Sequence, residues 1–267
     1  MSPQRLIQIT DLHFREEPGD ILCSGVVTDD SLRRVLDEVV DREGSDARVL
    51  VTGDLVQDPL PEAYRRLRDT LSEYSFSFHC LPGNHDDPAL MRSVLAAPAI
   101  STPLRIRLGN WLIVLLDSCI PGIPHGRLGA RELGRLQDEL ASAEDGHVLV
   151  ALHHHPVPVG SAWLDTMCVA DADPFLDMIA TSNAVRAVLF GHVHQEIDVT
   201  VNSVRLLGTP STCVQFTPHA ANFGLDRMAP AYRWINLYPD GRVESDVVYL
   251  DEQPMLCLLY TSPSPRD

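Results

Sequence analysis

Six short apolar runs, at residues 6–10, 49–52, 76–81, 112–117, 148–152 and 186–190, constrain the fold of this chain most. Each is four to six residues long, the length of a strand buried on both faces. Between them lie helical patterns at 29–41, 62–73, 89–95, 131–143 and 174–180. Their starts carry the expected residues: Thr28 before the first, Pro61 before the second, and Asp87-Pro88 before the third. Strands separated by helices pair in parallel, because the crossover returns the chain to the same edge. From about residue 196 the pattern turns to strands at 196–201, 204–208, 231–237 and 242–249. Asn202-Ser203 and Asp240-Gly241 are the hairpin turns expected among them. No internal repeat and no linker interrupts the series, so the expectation is one α/β domain with two packed sheets over residues 1–253. Residues 254–267 are hydrophobic and then Ser/Pro-rich without periodicity. They read as a tail outside the domain, either disordered or artefactual.

A chain of 267 residues is long enough to bury a sizeable core. The longest apolar stretches, such as 111–116, are far too short to span a bilayer. Met1 runs almost directly into the first strand, which leaves no room for a signal peptide. The six cysteines are scattered and form no C-x-x-C pair, so free thiols in a reducing cytoplasm are expected. The formal net charge is −16, and all 21 basic residues are arginine. So acidic a chain repels nucleic acid and anionic membranes. An anionic substrate would need positive charge from something other than the side chains. Metal ions are the obvious source.

The chemistry sits at the carboxyl ends of the predicted strands, the edge where open α/β sheets bind ligands. The first strand ends in "QITDLH", with Asp11 and His13. The second ends in "VTGDLVQD", with Asp54, and the third in "CLPGNHDD", with Asn84 and His85. The fifth runs into "ALHHHPVPVG", with His153, His154 and His155, and the sixth into "LFGHVHQ", with His192 and His194. Asp-x-His and His-x-His set two side chains on one face of an extended segment, which suits chelation. Taken singly, each pair is also what a turn or a surface loop carries. Five strand ends all offering Asp, Asn or His form the pattern of a polynuclear metal site.

The succession DLH…GDLVQD…GNHD…HH…GHVH resembles the calcineurin-like metallophosphoesterases. The stretches "LLDSCIPGIPHGRLG", "HHHPVPVGSAWLD" and "LGTPSTCVQFTPHAANFGLDRMAPAYR" are similar to those of bacterial class III cyclic-AMP phosphodiesterases. The resemblance runs from Leu6 to about Leu250 and implies a four-layer α/β/β/α sandwich, two mixed sheets flanked by helices. It also implies two divalent or mixed-valence transition metal ions. Asp11, His13, Asp54 and His194 match the ligands of the first, and Asp54, Asn84, His153 and His192 those of the second. The mixed oxygen and nitrogen set suits Fe, Mn or Zn better than Ca or Mg. His85 matches the family's non-ligand histidine beside the phosphate, with Asn84, His154, His194, His219 and Asn222 as further substrate contacts. Gln57 stands where protein phosphatases of this superfamily carry an aspartate that pairs with that histidine. A protein-phosphatase activity is therefore not expected.

The implied reaction is attack of a metal-activated hydroxide on a phosphodiester, with 3′,5′-cyclic AMP opened to 5′-AMP. The metal motifs alone are equally compatible with glycerophosphodiesters or linear nucleotide diesters. A non-catalytic scaffold is the third reading, although scaffold members usually lack part of the ligand set. The expected partner is a small cyclic nucleotide, with neither nucleic acid nor membrane, in a monomer or homodimer. In the histidine triplet, period-two alternation predicts His153 and His155 on one face and His154 on the other, at the rim.

Overall fold

The computed structural model describes residues 2–20, 25–143 and 146–251. The expected tail at 254–267 lies outside the described residues. The chain opens with β1 (Gln4–Ile9), α1 (Thr28–Glu43), β2 (Arg48–Thr52), α2 (Pro61–Leu71), β3 (Ser77–Leu81), α3 (Pro88–Val94) and β4 (Ile100–Ser101). The middle comprises β5 (Arg105–Leu108), β6 (Trp111–Leu115), α4 (Gly129–Ala141), β7 (His147–Ala151), a 3₁₀ turn (Leu164–Met167), α5 (Ala172–Thr181) and β8 (Val185–Phe190). Six strands close it: β9 (Ile197–Val201), β10 (Val204–Gly208), β11 (Gln215–Phe216), β12 (Leu225–Asp226), β13 (Ala231–Leu237) and β14 (Val243–Tyr249).

Two six-stranded mixed sheets result, ordered β14-β13-β1-β2-β3-β4 and β5-β6-β7-β8-β10-β9. All six predicted apolar runs are central strands of these sheets. Their side chains alternate between two cores, as a pleat requires. In β1, Leu6 faces the other sheet while Ile7 and Ile9 face the helices. In β6, Trp111, Ile113 and Leu115 point between the sheets, and Leu112 and Val114 point outward. The outer face of the first sheet buries apolar residues of α1, α2 and α3, among them Leu32, Val35, Tyr64, Leu67 and Met91. The second sheet is covered by α4 and α5 through Leu136, Phe175 and Ile179. Helix, sheet, sheet and helix thus stack in four layers, as the resemblance implies.

Both expected hairpin turns form. Asn202 and Ser203 lie at φ +50° and +69°, the left-handed pair that a two-residue type I′ hairpin between β9 and β10 needs. Gly241, at φ +87°, turns β13 into β14. A polar layer crosses between the sheets beneath the site. Buried Gln8 donates to Thr52 Oγ1 (2.9 Å) and accepts from Thr209 Oγ1 (2.7 Å). Fully buried Arg233 donates to Thr209 Oγ1 (3.0 Å) and to the Gly208 carbonyl (2.9 Å). Among the described residues no helix is long and apolar enough to cross a membrane.

Candidate dinuclear metal centre

The sheets bring the carboxyl ends of β1, β2, β3, β7 and β8 to one edge, and the predicted donors meet there. The turn after β1 is tied to the turn after β2 by Asp11 N–H to the Gly53 carbonyl and His13 N–H to the Asp54 carbonyl, both 3.0 Å. Gly191 N–H reaches the His153 carbonyl (3.1 Å), which joins the ends of β8 and β7. His192 N–H donates to the Asp11 carboxylate at 3.0 Å, and His85 N–H to Asp54 Oδ1 at 2.9 Å. The loop bearing Asn84 and His85 is folded by two neighbouring carboxylates. Asp86 accepts from Leu55 N–H, Gly83 N–H and the Tyr64 hydroxyl. Asp87 caps α3 by accepting from the amides of Ala89 and Leu90.

Three overlapping groups of donor atoms each lie within 4.8 Å: Asp11, His13 and His194; Asp11, Asp54 and His153; and His13, Asp54 and His85. Asp54 joins the second to the third. His13 Nε2 and His194 Nε2 are 3.2 Å apart, and His153 Nε2 is 3.0 Å from Asn84 Oδ1 and 3.4 Å from Asp54 Oδ2. All these residues are buried. Two of the imidazoles are oriented from behind by a backbone carbonyl: His153 Nδ1–H on Thr52 O (2.9 Å), and His194 Nδ1–H on Val214 O (2.7 Å). Such bonds fix the tautomer and aim the Nε2 lone pair forward. Backbone carbonyls leave no mark in a sequence, so these partners were illegible there.

Burial alone would raise the Asp54 carboxyl, but His153, His85 and His13 hold it well below the usual carboxylate range. Burial likewise opposes the charge on His153, while Asp54 pulls that imidazole up to about 9. His192 is held well below the ordinary histidine range by burial and by three neighbouring imidazoles. Its Nε2 is buried and has no hydrogen-bond partner. A neutral imidazole nitrogen left unmatched among carboxylates, an amide oxygen and other imidazoles is what a cation-binding site presents before its ion is counted. The donor set therefore fits two transition ions that share Asp54.

The histidine triplet departs from strict alternation. β7 ends at Ala151, and the chain bends through His153 and His154, so the pleat no longer sets the side-chain directions. All three rings pack around His192, with centroids at 5.1, 4.8 and 5.6 Å for His153, His154 and His155. His154 was expected at the rim. It is instead fully buried, with Nδ1 2.8 Å from the Ser118 hydroxyl. Ser118 is a supporting residue that the sequence reading missed, because nothing in "LLDSCIPG" marks it.

His85 is 1 % exposed, with its ring edge-on to His13 at 4.8 Å. Its Nδ1–H donates to the Gln57 carbonyl at 2.8 Å, so main chain occupies the place where a carboxylate would pair. His219 lies apart from the metal cluster, at φ +56° on the wall of a cavity of about 340 Å³ that His194, Gln195, Phe216 and Met228 also line. Asn222 is exposed on the neighbouring loop. Trp163, Leu164, Met167 and Phe216 line a small opening against Asp54, His192 and His194. Trp163 also packs against the core of the second sheet.

The calcineurin-like phosphoesterase family model matches residues 4–196. The chain is 40 % identical over 244 residues to the 3′,5′-cyclic adenosine monophosphate phosphodiesterase CpdA of Escherichia coli K12, covering 91 % of this chain and 88 % of that protein. It is 38 % identical over 245 residues to CpdA of Vibrio vulnificus, covering 91 % and 89 %. It is 34 % identical over 239 residues to a 3′,5′-cyclic-nucleotide phosphodiesterase of Nostoc, covering 90 % of both. Among solved structures, a dimetal phosphatase from Danio rerio superposes with a TM-score of 0.61 at 17 % identity, over 93 % of this chain and 99 % of that one. That likeness bears on the fold alone. With the family model spanning all five donor-bearing turns, the chain belongs to the calcineurin-like phosphoesterase family.

Proposed function

We propose that this protein is a dinuclear-metal phosphodiesterase that opens 3′,5′-cyclic AMP to 5′-AMP. The observation that carries the reading is the complete donor set around Asp54 in a chain alike, over about nine-tenths of its length, to enzymes named for that reaction. Asp11, His13, Asp54 and His194 would hold one ion and Asp54, Asn84, His153 and His192 the other, with Fe, Mn or Zn as the candidates. When bound, two such ions supply Lewis acidity to the phosphoryl oxygens and lower the pKa of water.

The side chains account for the remaining steps. A water oxygen gives up a proton and attacks phosphorus in line, the P–O3′ bond breaks, and the departing 3′ oxygen takes up a proton, so that none is gained or lost overall. His85 is the proton carrier in this reading: Nδ1–H stays on the Gln57 carbonyl, so Nε2 is the nitrogen that serves substrate. Asn84 and His194 flank the phosphoryl group, and His219 and Asn222 are assigned to the nucleoside side. His154, buried against His192 and Ser118, steadies the second ligand set and does not touch substrate. The substrate is a small cyclic nucleotide, and the net charge of −16 argues against nucleic acid or anionic membrane as partner.

The test is an assay of the metal-loaded protein against cyclic AMP, cyclic GMP, an aryl phosphodiester and 5′-AMP. Cyclic AMP should be hydrolysed fastest, with chelation abolishing activity and Mn²⁺ or Fe²⁺ restoring it. Faster dephosphorylation of 5′-AMP would replace this reading with a phosphomonoesterase.

A further inference from the structure

Outside the dinuclear centre, one buried histidine has no explanation in the packing. His155 is fully buried, and neither of its ring nitrogens makes a well-formed hydrogen bond, the main chain of Leu164 being the nearest polar neighbour. One of those nitrogens carries a hydrogen in any tautomer, and leaving it unmatched costs about 1–3 kcal/mol. Two other donors face the ring. His155, Asp165 and Cys168 place a nitrogen, a carboxylate oxygen and a sulfur within 4.8 Å of one another. We propose that His155, Asp165 and Cys168 form a third, mononuclear site for a borderline divalent ion of the Zn²⁺ class, held by one nitrogen, one oxygen and one sulfur.

The chemistry of the donors supports this. Zn²⁺ takes bonds of about 2.0–2.3 Å in tetrahedral geometry, which puts ligand atoms roughly 3.3–3.8 Å apart. The cluster would contract by about 1 Å, within the reach of small side-chain rotations. The carboxylate is already anchored. Asp165 Oδ1 accepts from Val159 N–H (2.7 Å) and Oδ2 from Gly160 N–H (3.2 Å), which leaves lone pairs on both oxygens free for a metal. Asp165 and Cys168 are partly exposed, so an ion has a path in. Binding would release the Cys168 thiol proton to solvent, and the thiolate and carboxylate would then neutralise the dication beside a neutral imidazole. The fourth position is left for water.

Such an ion would act as a clip. His155 stands two residues beyond His153, while Asp165 lies in, and Cys168 directly after, the 3₁₀ turn that carries Leu164 and Met167 toward His192. Tying them together would hold that wall of the centre in place.

Cobalt distinguishes this site from the dinuclear centre, because only His155–Asp165–Cys168 offers a sulfur ligand. Metal-stripped full-length protein titrated with Co²⁺ should show a thiolate-to-cobalt charge-transfer band and bind about three equivalents. Cys168→Ser should lose that band and one equivalent while keeping the other two and its phosphodiesterase activity. Asp165→Asn should lose the band as well, with circular dichroism reporting that the fold persists. Saturation at two equivalents without the band would overturn the proposal, as would a band that survives in Cys168→Ser.

Discussion

Replacing Gly83 with alanine tests whether the position of Asp54 sets the activity. An added Cβ at Gly83 would stand 2.8 Å from Asp54 Cγ, and nearer still to the Asp54 carboxylate oxygen Oδ1 and backbone nitrogen. Carbon atoms rest about 3.5–4.0 Å apart, so one side must move by roughly 1 Å. Gly83 cannot easily yield: its N–H is bonded to Asp86 Oδ2 (2.9 Å) and its carbonyl accepts from Asp86 N–H (3.1 Å). Asp54 therefore moves, and it is the residue shared by both ligand sets. A 1 Å misplacement of reacting groups costs on the order of 10²-fold in rate. Overpacking adds about 1–3 kcal/mol of destabilisation. At about 2–4 °C per kcal/mol for a domain of this size, Tm should fall by roughly 2–12 °C. The control is Gly134→Ala, in the interior of α4 with no atom within 4 Å of the new Cβ. It should raise stability by about 0.5–1 kcal/mol and leave turnover alone. Elemental analysis, thermal melts and kcat on cyclic AMP decide it. A Gly83→Ala enzyme with wild-type metal content and turnover would refute the claim that Asp54 is held to within an ångström.

Three further substitutions separate the roles within the centre and beneath it. His85→Asn should retain both metal ions and lose about 10²–10⁴ in kcat, the usual worth of a general acid or base; metal loss in this variant would mean that His85 is a ligand. His153→Ala should lose one of the two ions of the dinuclear centre with nearly all activity gone, and an unchanged metal count would show that the second ion lies elsewhere. Arg233→Met leaves the Gly208 carbonyl and Thr209 Oγ1 without their buried donor, at about 1–3 kcal/mol. Its Tm should fall accordingly while the metal content stays at the wild-type value; an unaltered Tm would remove the polar layer from the account of stability.

What could be read from the sequence was what has a period or a cost. The six central strands are apolar on both faces and bracketed by turns, so they stand out from the segments around them. β5 did not, because in Arg105–Leu108 the residues Arg105 and Arg107 alternate outward on an exposed edge. β4, β11 and β12 span two residues each, too short for any periodicity. The proposed ligands were visible because Asp, Asn and His after an apolar run are out of place unless something binds them. Their supports were not. The carbonyls of Thr52, Val214 and Gln57, which aim His153, His194 and His85, belong to the main chain and carry no residue identity. The triplet was misread for a related reason: alternation holds only while the strand continues, and β7 stops at Ala151.

The backbone itself marks the centre. Among the described residues, eight non-glycine positions have φ between +46° and +69°, and five are Asp11, His13, Asp54, His192 and His194. Asn202 and Ser203 are accounted for by their hairpin, which leaves His219 as the eighth. The left-handed region costs an L-residue about 1–2 kcal/mol, so the five proposed ligand positions together carry on the order of 5–10 kcal/mol. That is comparable with the whole net stability of an ordinary domain. The strain persists because each turn is tied to a neighbour: Asp11 N–H to Gly53, His13 N–H to Asp54, Gly191 N–H to His153. A left-handed residue at a strand end folds the side chain back over the sheet edge instead of letting it follow the strand outward. Five such reversals, on strands locked side by side, converge carboxylates and imidazoles on one buried point. Ions that bind only this folded arrangement add RT ln(1 + [L]/Kd) to its stability. The geometry that chemistry requires is thus imposed by the two sheets and relieved by the ions it is shaped to hold.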